Sequence, residues 1–121
     1  MRPKGLRQAR FNELLKEELS LLLLTESSDP RLRSIIITQV TVTPDLKQAT
    51  VYYRTLPGSA DPKEEDRALG HAVPFLRHGL VERLKARTLP SLIFKYDELP
   101  DKAAAMERLL GSIHKEDEGA G

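Results

Sequence analysis

The chain contains 121 residues, 40% of them hydrophobic, which is enough for one domain with a modest core. It has no cysteine, so disulfides and thiolate metal sites are excluded, and its apolar run at residues 21–24 is far shorter than the roughly 20 residues of a membrane span. The formal net charge of +1 predicts no particular partner by itself. Because the N-terminus lacks the apolar segment of a secretory signal, we expect a cytoplasmic protein.

Residues 6–26 are predicted to form the first helix, because apolar residues recur there at spacings of three and four. These positions are Phe11, Leu14, Leu15, Leu19, Leu22 and Leu23. The helix ends before Asp29-Pro30, since the residue that precedes a proline is disfavoured in the helical conformation. Residues 29–32 then predict a turn or a single helical turn.

Two strands joined by a short polar turn are predicted next. Residues 35–43 are almost entirely β-branched, residues 43–47 supply turn chemistry, and residues 49–55 form the second strand of an antiparallel hairpin. One face of the second strand carries Ala49, Val51 and Tyr53, and the other carries Thr50, Tyr52 and Arg54. We expect Tyr52 to pack under a helix or the C-terminal segment rather than to stack on a base.

A helical region interrupted by proline follows the loop at residues 56–62. Asp61 is suited to cap a helix with Pro62 at its first position and acids in its first turn. Pro74 lies inside the apolar pattern and has no N–H to donate, so we expect the helix to bend or stop there, ahead of a second, basic helix. Residues 88–90 end the second helix.

The last predicted elements are a third strand at residues 92–96 and a helix at residues 102–114. The apolar face of that helix contains Ala103, Met106, Leu109, Leu110 and Ile113. The element order predicts an α+β fold, a two-layer sandwich with a three-stranded sheet, helices on one face, and a C-terminal helix. We assign residues 1–115 to the folded domain and expect a disordered acidic tail at residues 116–121.

Cations concentrate in two regions of the sequence. Residues 1–12 contain no acid, residues 71–96 contain Glu82 as their one acid, and residues 97–121 contain seven acids. Clustered cations attract polyanions even when the net charge is near zero, although a solvated surface is the alternative for any one cluster. The predicted RNA contacts are His71, Arg77, His78, Lys85 and Arg87 on the bent helices, Lys47 in the hairpin, and Arg2, Lys4, Arg7 and Arg10. Arg83 and Arg87 project nearer the core, so we expect one of them to pair with a buried acid or a carbonyl instead of RNA.

No catalytic or metal-binding pattern accompanies these cations. His71 and His78 are seven residues apart, about 10 Å along a helix axis, which is too far for one ion. The glycines match neither a Walker loop nor a dinucleotide fingerprint, and no nucleophile elbow is present. We therefore predict neither an enzyme, nor a metal site, nor a cofactor.

Five segments, taken in order, resemble the ribosome-binding factor A family over nearly the whole chain. They are RQARFNELLKEELSLLL (7–23), DPRL (29–32), ITQVTVTPDLKQATVYY (37–53), LRHGLVERLKARTLPSLIFKYD (76–97) and ERLLGSI (107–113). The specific part is the succession of DPRL, DL-x-x-A-x-V-Y and R-x-x-P-x-L-x-F-x-Y-D. The resemblance implies a type II KH-like fold, in agreement with the element order above.

The resemblance also implies a function in bacterial small-subunit maturation. Such a factor binds the immature small ribosomal subunit and its rRNA, assists late folding and end-processing of that rRNA, is released before translation, and is needed most in the cold. KH domains hold single strands with a G-x-x-G loop, whereas this family commonly has an Ala-x-Gly kink. The matching residues here are Ala72-Val73-Pro74. Since proline offers no N–H, we expect side chains rather than the kink backbone to contact phosphates.

These expectations combine into a monomeric, non-enzymatic assembly factor that favours one rRNA conformation over another. The alternative is a protein-interaction module that contacts ribosomal proteins or a GTPase, with RNA contact incidental. A nuclease acting on precursor rRNA is a third hypothesis. Salt dependence separates the first two, because binding dominated by RNA phosphates weakens steeply as salt rises.

Overall fold

The computed structural model describes residues 4–25, 29–56 and 62–120, with side chains over 6–25, 29–56 and 63–112. The elements are α1 (Lys4–Thr25), a 3₁₀ helix (Pro30–Ser34), β1 (Ile35–Val42), β2 (Gln48–Thr55), α2 (Pro62–Leu84), β3 (Ser91–Tyr96) and α3 (Leu99–Ala120). The sheet order is β1-β2-β3, with β1 antiparallel to β2 and β3 parallel to β2. This arrangement confirms the predicted hairpin and the predicted α+β class.

The core lies between one face of the sheet and the two long helices. Leu15, Leu19 and Leu22 of α1 and Leu69, Leu76 and Leu80 of α2 are completely buried. Each such leucine stabilises the fold by about 1.5–3 kcal/mol relative to an exposed position. The helices approach closely at Gly79, where a Cβ would lie 2.6 Å from Cδ2 of Leu22. Leu14, also predicted on the apolar face, is 39% exposed.

β1 contains an irregularity between Ile37 and Gln39, where its register with β2 shifts. Ile35 and Ile37 are buried before it and Val40 and Val42 are buried after it. Because side chains alternate between faces, the extra residue is what keeps both apolar pairs toward the core. It also turns Gln39 toward the opposite face.

α2 is one continuous helix that includes Pro74, so the predicted separation into two helices is wrong. The missing N–H of Pro74 releases the carbonyl of Gly70, four residues earlier, and both residues are exposed. Solvent can therefore satisfy that carbonyl. Ala72 and Leu76, on either side of the proline, are buried against the core and hold the two halves of the helix in place. The helix ends at Leu84, before the predicted end at residues 88–90.

α3 leaves the sandwich at Asp97 and is anchored by its first turn. Asp97 Oδ1 accepts a hydrogen bond from Leu99 N at 3.0 Å, and its Oδ2 accepts one from Thr38 Oγ1 at 2.7 Å. Arg54 donates to the carboxylate of Asp101 at 3.0 and 3.2 Å and to the carbonyl of Asp97 at 2.7 Å. These contacts fix where α3 starts.

Beyond this anchor, every residue of α3 from 99 to 112 is exposed, including Met106, Leu109 and Leu110 of the predicted apolar face. The helix continues to Ala120, past its predicted end at residue 114 and through most of the segment expected to be disordered. The assignment of residues 1–115 to the folded domain and of residues 116–121 to a separate tail stays a prediction. Within the described residues, no helix has the length and hydropathy needed to cross a bilayer.

Candidate nucleic-acid interface

The sheet has two ends of different chemistry. One end carries the β1–β2 turn and the start of β3, which are joined by a 2.9 Å hydrogen bond from Ser91 N to Lys47 O. α1 is attached to this same end, because Gln8 Nε2 donates to Val42 O at 3.0 Å and Asn12 Oδ1 accepts from Val42 N at 2.9 Å. The opposite end carries the start of β1, the end of β2 and the first turns of α2 and α3.

Cations from three parts of the chain meet at the first end, which we call the basic end. They are Arg7 and Arg10 of α1, Lys47 of the β1–β2 turn, and Lys85 and Arg87 of the segment between α2 and β3. All five are exposed, and none forms an ion pair with another residue of the described chain. A hydrogen bond from Thr43 lowers the pKa of the Asp45 carboxyl, and the charge of Lys47, which is close to Asp45 in the same turn, acts in the same direction; all five cations remain accessible to an anionic partner.

Lys85 lies in an unusual backbone conformation. Its φ is 51°, in the left-handed region that glycine adopts most easily, and it is the first residue after α2. A side chain at such a position raises the energy of the fold by about 1–2 kcal/mol. The chain thus keeps a cation where glycine would be more stable.

Two other arginines near the C-terminal half of α2 are partly used within the protein. Arg77, a predicted RNA contact, is half-buried and donates to the carbonyl of Pro90 at 2.6 Å, which ties α2 to the residue before β3. Arg83 pairs with Glu18 of α1 at 3.3 Å. Arg83 thus pairs with an acid, although Glu18 is half-buried rather than buried as expected, while Arg87 is exposed.

Of the two predicted histidines of α2, His71 lies toward the opposite end of the sheet, and His78 forms a local pair on its own helix. His78 pairs with Glu82 at 3.1 Å on the outer side of the helix. His71 is exposed near Asp29: hydrogen bonds from Arg31 hold the pKa of Asp29 below its usual value, and the charge of His71 acts in the same direction. The remaining predicted contacts, Arg2 and the side chain of Lys4, lie outside the described residues.

The opposite end, which we call the acidic end, contains Asp29, Glu64, Glu65, Asp66 and Asp101. Arginines pair with these acids: Arg31 with Asp29 at 2.8 Å and Glu64 at 3.1 Å, Arg67 with Glu64 at 3.3 Å, and Arg54 with Asp101 at 3.0 Å. The Arg54 hydrogen bond lowers the pKa of the Asp101 carboxyl. Arginine side chains that are paired in this way are less available to an outside anion than those of the basic end.

Tyr53 and Glu65 bury polar groups at the acidic end. Tyr53 donates to Asp66 at 3.2 Å, and burial, reinforced by the charge of Asp66, raises the pKa of Tyr53 to about 12. Glu65 is fully buried; its Oε1 accepts from Ser34 Oγ at 3.3 Å, and its Oε2 has no hydrogen-bond partner within the described residues. These groups hold the 3₁₀ helix, β2 and α2 together.

The family model of ribosome-binding factor A matches residues 7–110, which include the core and the cations of the basic end. The chain belongs to the ribosome-binding factor A family. Among the curated relatives, ribosome-binding factor A of Nitrosococcus oceani is 36% identical over 114 residues, covering 93% of this chain and 90% of the relative. The Burkholderia multivorans protein of the same name is 39% identical, covering 86% of this chain and 77% of the relative.

Solved structures of the ribosome-binding factor A family share the fold. The crystal structure of the Thermus thermophilus factor has a TM-score of 0.65 and 27% identity, covering 74% of this chain and 94% of that one. A homology model of the Thermus thermophilus factor, fitted into the cryo-EM map of a complex of the 30S subunit with that factor, has a TM-score of 0.59 and 26% identity, covering 72% of this chain and 91% of that one. The predicted type II KH-like fold is confirmed.

Sequence reasoning missed the face of the sheet that points away from α1 and α2. Gln39, Tyr52 and Lys95 are register partners on neighbouring strands, and they line an open groove of about 460 Å³ together with the first turn of α3. Tyr52 is half-buried beside the first turn of α3, and the groove above it is open, so the expected cover by a helix or the C-terminal segment is partial. The signal was present, because the apolar positions change from odd (Ile35, Ile37) to even (Val40, Val42) and so indicate a bulge.

Proposed function

We propose that this protein binds the immature small ribosomal subunit through its rRNA and promotes late maturation of that subunit. The observation that carries the proposal is the basic end, where five exposed cations from three parts of the chain have no ion-pair partner among the described residues. Support comes from the family and from the related Thermus thermophilus factor, which was fitted into a map of its 30S complex.

Phosphate contacts explain how such a surface binds rRNA. Each phosphate that a lysine or arginine neutralises releases counterions, and this gain in entropy decreases as the salt concentration rises. The contacts position the protein without reading sequence. Pro74 has no N–H to offer a phosphate, so the side chains of Lys47, Lys85 and Arg87 would carry the phosphate contacts in this member of the family.

The proposed mechanism is a population shift without catalysis or cofactor. A ligand changes an equilibrium only by the difference between its affinities for the two states. Binding of this protein as a cytoplasmic monomer would favour the rRNA conformation whose phosphates fit the basic end, and would thereby assist folding and end-processing. Slow escape from misfolded rRNA at low temperature would make the requirement greatest in the cold.

Co-sedimentation with purified precursor small subunits tests the proposal. The Lys85→Glu/Arg87→Glu variant should bind at least about tenfold more weakly, because each reversal removes a phosphate contact and adds repulsion. The matched control is Arg33→Glu/Arg67→Glu, the same reversal of two exposed cations near the acidic end. The proposal would be contradicted if both variants lost the same affinity for subunits or if neither lost any, provided that their melting temperatures match that of the wild type.

The exposed apolar residues of α3 favour a second candidate, a protein-docking function. Leu99, Met106, Leu109 and Leu110 are each more than half exposed, and apolar groups at this density on one helix are typical of a binding surface. A salt titration of subunit binding separates the two. Affinity that stays constant between low and moderate salt would favour protein docking, whereas a steep decrease supports binding through rRNA.

A further inference from the structure

We propose that the open face of the sheet binds one unpaired nucleotide of single-stranded RNA, with its base on the ring of Tyr52. This inference rests on the proposed function, because it names a second RNA site on the same protein. It concerns the groove between the sheet and the first turn of α3, on the side away from α1 and α2.

The chemistry of the groove comes from one row across the three strands. In the sheet register, Gln39 pairs with Tyr52 and Tyr52 pairs with Lys95. Neighbouring strands are about 4.8 Å apart, so an amide, an aromatic ring and an ammonium group follow one another at that spacing. A base on the ring would have an amide beside it for hydrogen bonds to its edge and an ammonium group beside it for its phosphate.

The groove is large enough for one nucleotide, and contacts within the protein fix its walls. Its volume is about 460 Å³, and Leu99 and Lys102 of α3 form one side of it. That side is fixed by the Arg54–Asp101 ion pair and by the hydrogen bond between Thr38 and Asp97. The bulge in β1 supplies both Thr38 and the outward direction of Gln39. A preformed site of this kind loses little conformational freedom when a ligand enters.

The charges of the groove indicate that stacking contributes more than electrostatics. Lys95 is exposed and has no ion pair within the described chain, whereas Lys102 pairs with Glu98 at 3.5 Å. The carboxylate of Asp97 is buried and engaged by Thr38 and Leu99 N. With these charges nearly balanced, the ring of Tyr52 is the group that distinguishes an unpaired base from a phosphate backbone.

Binding of short oligouridylate and oligoadenylate, measured by fluorescence anisotropy, tests the inference. Tyr52→Ala should weaken binding about tenfold or more, which is the effect of losing one stacked base. Tyr52→Phe should bind like the wild type, since it keeps the ring. Thr50→Val is the matched control, because Thr50 lies on the same strand outside the groove. An oligouridylate that carries 5-iodouridine should crosslink on irradiation to the peptide that contains Tyr52.

The outcomes separate this inference from the proposed function. If Tyr52→Ala binds oligonucleotides as well as the wild type, or if free AMP binds more tightly than the oligomers, the nucleotide site is overturned. If a peptide from a small-subunit protein displaces no RNA but shifts the NMR signals of the Tyr52 ring, the groove is a protein site and the inference fails. If Lys85→Glu/Arg87→Glu binds small subunits weakly while Tyr52→Ala binds oligonucleotides normally, the proposed function is supported and the nucleotide site is not.

Discussion

The two ends of the sheet differ in what their cations do. At the acidic end, Arg31, Arg54 and Arg67 are paired with carboxylates of the same chain. At the basic end, Lys47, Lys85 and Arg87 are exposed without such partners in the described structure. The sequence contains similar numbers of cations and acids, and the fold pairs arginines with acids at one end of the sheet and brings five exposed cations together at the other. This arrangement, rather than the net charge of +1, leaves a group of exposed cations at the basic end without ion pairs in the described structure.

Chain direction explains why the ends differ. α2 begins beside the end of β2 with Glu64 and Glu65 in its first turn, and it returns to the start of β3 with Arg83 in its last turn. Acids favour the positive N-terminus of a helix and cations favour its C-terminus, so the same preference that stabilises α2 separates the charges. Part of the charge asymmetry is thus a by-product of helix stability. Lys47 and the arginines of α1 are not explained in this way, because they lie outside α2, so they are the cations that indicate a function.

The salt dependence of RNA binding should show the largest difference between the ends. For the Lys85→Glu/Arg87→Glu variant, the slope of log K against log salt should be less steep by about 1.4–1.8, which corresponds to two phosphate contacts. Arg33→Glu/Arg67→Glu should keep the wild-type slope. Filter binding to a fragment of small-subunit rRNA at several salt concentrations measures both. Identical slopes for the two variants would remove the distinction between the ends.

Release of α3 should be the main effect of breaking the acidic end. Arg54→Gln removes the contacts with Asp101 and the Asp97 carbonyl, so backbone amides in the first turns of α3 should exchange with solvent faster. Arg67→Gln, whose partner Glu64 lies on its own helix, should leave those amides unchanged. Hydrogen exchange followed by mass spectrometry measures the difference.

Acid should reproduce the effect of Arg54→Gln. The pKa of Asp101 is lowered from its usual 3.8, so its contribution to the anchor is present above pH 3.8 and is lost as the pH falls through the lowered value. Protection of α3 that does not change in Arg54→Gln, or that is lost at neutral pH in the wild type, would contradict this account of the anchor.

Sequence reasoning predicted the elements better than the site. The strands, the hairpin and the buried leucines of α1 follow from local periodicity, which is a property of neighbouring residues. Pro74 was misleading because the packing of Ala72 and Leu76 keeps the helix continuous across it. The pairing of Arg54 with Asp101 joins residues 47 positions apart, and the row that contains Tyr52 depends on a bulge and on strand order. Such contacts follow from tertiary structure.

Alkaline pH should weaken the acidic end through Tyr53. Its pKa is raised from 10.0 to about 12 in the folded protein, so the stability that its neutral hydroxyl contributes is present below pH 10 and is lost as the pH rises toward 12. Tyr53→Phe lacks this dependence. The difference in free energy of unfolding between the wild type and Tyr53→Phe, from urea titrations, should therefore decrease between about pH 9 and pH 11. A constant difference over that interval would contradict the burial of the hydroxyl beside Asp66.

The smallest expected effect concerns Lys85, where stability and binding should change in opposite directions. Lys85→Gly removes the side chain from a left-handed conformation and should stabilise the protein by about 1 kcal/mol, because glycine has no Cβ to collide there. Lys85→Ala is the matched variant: it removes the same charge but keeps a Cβ, so its stability should stay near that of the wild type. Urea titrations measure both.

If the cation is kept at this position for its charge, the two variants should bind small subunits equally weakly although only one of them is more stable. A loss of binding in Lys85→Ala alone would mean that the fold of the connection to β3, and not the ammonium group, determines affinity. Normal binding by both would remove Lys85 from the basic end and leave its backbone conformation unexplained. Equal losses of affinity in the two variants would show that the basic end retains a charge at the expense of stability. At the acidic end, by contrast, the charged arginines form ion pairs within the protein.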